Sequence, residues 1–135
     1  MDIGFTQAAS AAFTAHLQPH IPSGRPFRFV YTSGIASAKD KSKPLWFGTE
    51  ARHSRGEAEL AILEFAEKNK GKYEGFVPRL GFVWRSGWLV VNWDWSITLE
   101  WLCLAMVQVA KEGGTSRIVE NRELVDMGRR LAKGN

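Results

Sequence analysis

Cysteine is almost missing from this chain: Cys103 is the single one among 135 residues. That excludes an intramolecular disulfide framework and makes a reducing, cytoplasmic setting the default. The opening MDIGFTQAAS has no basic segment followed by an apolar run, so it does not read as a secretory leader. Repeats, linkers and low-complexity tracts are absent. Hydrophobic residues at 44% and charged residues at 24% exclude a disordered or collagenous chain. No block of like charge stands out. The lysines and arginines between Lys39 and Lys72 are scattered, so a net charge of +4 permits weak polyanion contact without a recognition element, and nucleic acid is not an expected partner. His16, His20, His53 and Cys103 match no zinc spacing, and Pro19 interrupts the helix between the first two, so no metal is expected. Residues 87–110 are long and apolar enough to raise a membrane span. Asn92, Asp94 and Glu100 interrupt them, and a charge at mid-bilayer is costly.

What is present alternates. Residues 2–18 read as a helix with Asp2 as N-cap and an apolar face through Phe5, Ala9, Phe13 and Leu17. Pro19, Pro22, Gly24 and Pro26 break the chain. Residues 27–32 form a β-rich run that stops at Ser33-Gly34, the pattern of a buried parallel strand. A polar loop over 35–44 leads to a second helix over 50–69, with Thr49 as cap and Gly71 as terminator. Residues 76–83 predict a second strand, with Pro78 a flaw in its middle. Trp84, Trp88, Trp93, Trp95 and Trp101 follow. A third helix over 97–111 ends at Gly113-Gly114, and a fourth spans 119–132. Helix, strand, helix, strand, helix, helix predicts an α/β domain of two or three parallel strands and about four helices. Cys103 falls in an apolar helical run, where a buried, inert thiol is expected.

Several strings resemble the C-terminal half of atypical, fungal-type short-chain dehydrogenase-like NAD(P)-binding proteins. RFVYTSG resembles the family's fifth strand, with its Ser/Thr-rich turn beside the nicotinamide. RGEAELAILEFAEKN resembles the helix after it, which opens Tyr-x-x-x-Lys-Gly-Glu-x-Glu in the family. VPRLGFV resembles the sixth strand and its Arg-Pro-Gly turn. ITLEWLCLAMVQVA and SRIVENRELVDMGR resemble the closing helices, and FTQAASAAF the helix before strand five. The resemblance implies one partial Rossmann-like domain over residues 1–135 that lacks the N-terminal nucleotide-binding strands.

It also implies a site. Ser33 falls where a carbonyl-binding serine sits, Arg55 falls on the family lysine, and Arg79, Leu80 and Gly81 fall on the turn beside the nicotinamide. Trp84, Trp88, Trp93 and Trp95 fall on the variable substrate side, where they either line a pocket for a small hydrophobic molecule or fill the core. The departures are chemical. No glycine-rich phosphate turn is present, so nothing here cradles a pyrophosphate. Ala51 stands where the acid/base tyrosine belongs and has no proton to give. Arg55 stays cationic near neutrality and cannot replace it. Tyr31, within its strand, and Tyr73 are not natural substitutes.

Three functional expectations follow. The first is an oxidoreductase-derived protein of small-molecule biosynthesis, secondary metabolism included, using NAD(P) only if association completes its site. The second is an interaction module, or a decayed or incomplete gene product, that pairs with its own copy or with a fuller dehydrogenase. The third is a cofactor-free isomerase or cyclase using Asp94 or Glu100.

Overall fold

The computed structural model describes residues 3–22, 24–37, 49–85 and 95–134. Among the described residues the fold is α/β with four α-helices and parallel strand pairs, as the alternation predicts. It divides into two compact units: residues 1–31 with 36–75, and residues 32–35 with 76–135.

In the first unit, α1 (Ile3–Leu17) packs on α2 (Thr49–Lys68), and β1 (Phe27–Val30) lies beside the start of β3 (Tyr73–Leu80). Phe27 N donates to Lys72 O at 2.9 Å, and Arg28 pairs with Glu74 at 2.8 Å. The core is aromatic. Phe27, Phe29 and Phe65 surround Tyr73, with Phe65 edge-on at 4.8 Å, a geometry that matches ring edge to ring face, and Phe13 packs against Phe27 and Phe29. Ala58, Ala61, Ile62 and Ala66 supply the buried stripe of α2. A side chain at Gly75 would run into Ile62, so glycine there is a condition of close packing. Gly71, at φ +83°, turns the chain from α2 into β3, as its position after the apolar stripe predicts.

The second unit takes the rest of β3 and adds β2 (Ser33–Gly34), β4 (Phe82–Trp84), β5 (Ser96–Thr98), α3 (Leu99–Glu112), β6 (Ile118–Val119) and α4 (Asn121–Lys133). β2 and β6 both run parallel to β3, and β4 runs parallel to β5. Phe76, Val77, Ile97, Ala105, Val109, Val119, Leu124 and Val125 form its core. Thr98 caps α3 by accepting from Trp101 N at 3.3 Å, and Gly113, at φ +89°, ends it. Pro78 is no flaw. It sits in register with Val119, while the neighbouring Val77 N donates to Arg117 O at 2.7 Å.

The differences from expectation have local causes. The 27–34 run splits, because the chain leaves the ladder at Tyr31 and Thr32. The 76–83 run breaks at Gly81, where the Trp95 backbone passes so close that a Cβ would overlap its carbonyl. Cys103 is exposed rather than buried, because α3 turns Ala105 and Val109 inward. Asp2, Asp94 and residues 38–44 of the 35–44 loop lie outside the described residues.

Candidate functional site

In a parallel sheet, residues in direct register point to the same face, and ligands gather beyond the carboxyl ends of the strands. In the second unit that end is built from three adjacent chain segments. Ser33 is in register with Arg79, and Gly34 with Leu80. Val77 and Pro78 face Ile118 and Val119, which sets Glu120 opposite Arg79 one step further on. A row Ser33–Arg79–Glu120 therefore crosses the carboxyl edge.

Its polar groups differ in how they are met. Arg79 Nη1 donates to Glu120 Oε1 at 3.2 Å. Ser33 is only 7% exposed, and its Oγ has no hydrogen-bond partner among the described residues. Ordinarily a buried hydroxyl is paired, and an exception asks for a reason. Just beyond the row, Ile35 N donates to Leu80 O at 3.0 Å and fixes the turn. Gly81 N donates to Asn121 Oδ1 at 2.9 Å, and Asn121 Nδ2 donates to Ser96 O at 3.1 Å. One buried amide thus ties the β3–β4 turn, β5 and the start of α4 together.

Four of the residues singled out from sequence, Ser33, Arg79, Leu80 and Gly81, are thus neighbours. Arg55 belongs to the first unit, where it is exposed on α2 between half-buried Ser54 and buried Gly56. Its charge acts there on Tyr31, as does that of Glu59. Glu59 is fully buried and accepts from Ser37 Oγ at 2.5 Å, while Arg52 Nε donates to Ala36 O at 2.5 Å. Tyr31 follows β1 rather than lying within it. Burial pushes its phenol above the usual value; the Arg55 cation opposes that shift and Glu59 adds to it. Tyr31 is therefore a protonated phenol held near a cation, whereas Tyr73 is core. Ala51 is exposed on α2 and supplies no proton.

Two of the tryptophans singled out, Trp84 and Trp95, lie on the surface rather than in the core. Trp84 and Trp95 are exposed on β4 and beside β5, next to exposed Phe82 and Val83. Trp88 and Trp93 lie outside the described residues. Among the described residues no group of histidine, cysteine and acidic side chains is arranged to hold a metal, and no helix is long and apolar enough to cross a membrane. Glu120, Asn121, Ser37 and Glu59 escaped the sequence reading. The one available signal was Glu120-Asn121 directly after the apolar pair Ile118-Val119, the polar end of a short parallel strand.

No protein-family model, no curated protein and no solved structure matches this chain.

Proposed function

We propose that the chain is a short-chain dehydrogenase-like, oxidoreductase-derived protein of small-molecule biosynthesis, with secondary metabolism the first place to look. It binds its small molecule at the Ser33–Arg79 edge and is not an NAD(P)-dependent reductase by itself. The observation that carries this reading is the buried Ser33 hydroxyl, without a hydrogen-bond partner among the described residues and in register with Arg79 at the carboxyl end of parallel strands. A polar group kept dry and unpaired there costs stability, and a ligand oxygen would remove that cost. Ala51 and the lack of a glycine-rich phosphate turn argue against unaided hydride transfer. An NAD(P) site would need association with another chain.

The test is a magnetic-resonance screen of the purified chain with small apolar carbonyl compounds and acids. Shifts clustered on the Ser33, Gly81 and Asn121 amides are expected. Ligand binding that leaves these amides unmoved, or no binding at all, overturns the reading. Saturable binding of NADH or NADPH, followed by energy transfer from tryptophan, overturns the statement that the chain alone lacks a cofactor site.

The exposed strip Phe82, Val83, Trp84 and Trp95 favours a second reading, in which the chain acts as an interaction module.

A further inference from the structure

Where α3 ends and the chain turns toward β6, the second unit holds a cavity of about 500 Å³. That volume falls within the range of small-molecule sites, about 300–1,000 Å³. Met127 in its lining is buried, Leu131 is half-buried, and Gly113 and Gly114 bring bare backbone to it. The walls carry opposite charges, Glu112 on α3 and Arg130 on α4.

These two charges do not pair with each other. Gln108 Nε2 donates to Glu112 Oε2 at 2.7 Å, which fixes the carboxylate and leaves Oε1 without a partner among the described residues. Arg130 Nε donates to Asp126 O at 3.4 Å, a long bond, and its guanidinium forms no ion pair among the described residues. Thr115, also in the lining, donates to Glu123. Gly113 leaves α3 at φ +89° and ψ 175°. No helical N–H follows to take the last carbonyls, so this helix end carries partial negative charge.

We propose that this cavity binds a free α-amino acid with a large apolar side chain. The ammonium donates to Glu112 beside the end of α3, and the carboxylate accepts from the Arg130 guanidinium. The side chain covers Met127 and Leu131. Charge selects the class. An amine alone leaves Arg130 unanswered, and an acid alone meets Glu112 and the helix end, where like charges repel. A phosphate brings still more negative charge to that end. A zwitterion answers both walls with charge-assisted hydrogen bonds. A free amino acid carries both charges on one carbon, whereas a polypeptide terminus carries one. Contact with Met127 and Leu131 then favours a large apolar side chain over a small polar one, and the methionine sulfur suits an aromatic ring. This cavity precedes β6, apart from the Ser33–Arg79 edge beyond the carboxyl ends of the strands.

The experiment titrates the full chain with L-phenylalanine, N-acetyl-L-phenylalanine and L-phenylalaninamide, following the amides of Gly113, Gly114 and Thr115. The second ligand lacks the ammonium and the third lacks the carboxylate. L-phenylalanine is expected to saturate these shifts. Each half-charged analogue should bind about fivefold more weakly, the worth of one charge contact at a solvated wall. Arg130→Gln should weaken L-phenylalanine about fivefold without weakening L-phenylalaninamide. Glu112→Gln should weaken L-phenylalanine about as much without weakening N-acetyl-L-phenylalanine. A merely structural role would weaken all three ligands together. Both side chains are exposed, so the variants are expected to fold, which circular dichroism checks. The comparison of the three ligands on wild type needs no variant.

No saturable binding of L-phenylalanine overturns the inference, as do equal affinities for the three ligands. So do shifts that miss residues 113–115, or variants that weaken all three ligands alike. None of these outcomes touches the Ser33–Arg79 edge, whose reporters are the Ser33, Gly81 and Asn121 amides.

Discussion

Gly128 shows how a single missing carbon decides a contact. It lies in the middle of α4, and a Cβ there would overlap the Trp101 carbonyl and side chain of α3. Helix propensity favours alanine over glycine by about 1 kcal/mol. Overlap with a backbone oxygen forces a helix to move, which costs about 1–3 kcal/mol or more. Packing wins, so Gly128→Ala is expected to lower the urea midpoint, and a raised midpoint would sink this account. The two tyrosines add a pH dependence. Burial raises both phenols above the ordinary value of 10.0, with Ser10 partly opposing it for Tyr73 and Arg55 for Tyr31. The folded state therefore holds protons that the unfolded chain has released. Their contribution is complete below pH 10 and is lost as pH rises through the folded-state values. Tyr73 Oη lies 3.1 Å from Ser10 Oγ, so Tyr73→Phe should lose about 1 kcal/mol at neutral pH. The same variant should flatten the alkaline decline in denaturation free energy; a decline as steep as in wild type would show that Tyr73 is not its source.

Between elements, the decisive connection in the second unit is made by a side chain rather than by a ladder. Asn121 is buried, and two of its side-chain hydrogen bonds go to backbone, at Gly81 N and Ser96 O. Truncation leaves a donor and an acceptor unmet in the core, so Asn121→Ala is expected to cost about 2–4 kcal/mol. Asn121→Asp keeps the acceptor for Gly81 but loses the donor to Ser96, and it places an ionisable group in the core. Its deficit should shrink on acidification, when the carboxyl gains a proton. A loss under about 0.5 kcal/mol for the alanine variant, a surface-like value, would mean that the bridge does not hold these elements. None of this was legible in the sequence, because Asn121 meets partners 40 and 25 positions away. Local signals were legible. Gly113 stopped α3 and apolar spacing outlined α2, whereas Ser33-Gly34, read as a strand end, is a short strand of its own. Gly81 was read as part of a turn, yet its reason, the passage of Trp95, needs the folded chain. Cys103 failed because apolar character does not say which side of a helix meets the core, and the same gap hid the exposure of Trp84 and Trp95.

At the scale of the whole molecule, the exposed strip of β4 and its neighbour bears on behaviour in solution. Phe82 is 68% exposed and Trp95 57%, and every residue of β4 is on the surface. Single apolar side chains on a surface are ordinary, but several adjacent ones on a strand are an association hazard. The contribution per residue is large, since burying an aromatic side chain of this size is worth about 1.5–3 kcal/mol. A second copy of the chain is the partner always present in a purified sample. The chain is therefore expected to self-associate, with a light-scattering mass above 15.2 kDa that rises with concentration. Phe82→Lys combined with Trp95→Lys should restore the monomer mass while leaving the far-ultraviolet circular dichroism unchanged, because both side chains point to solvent. Loss of the circular dichroism would mean that they support the fold. A wild-type chain that stays monomeric at every concentration would remove both the association and the route by which a cofactor site could be completed.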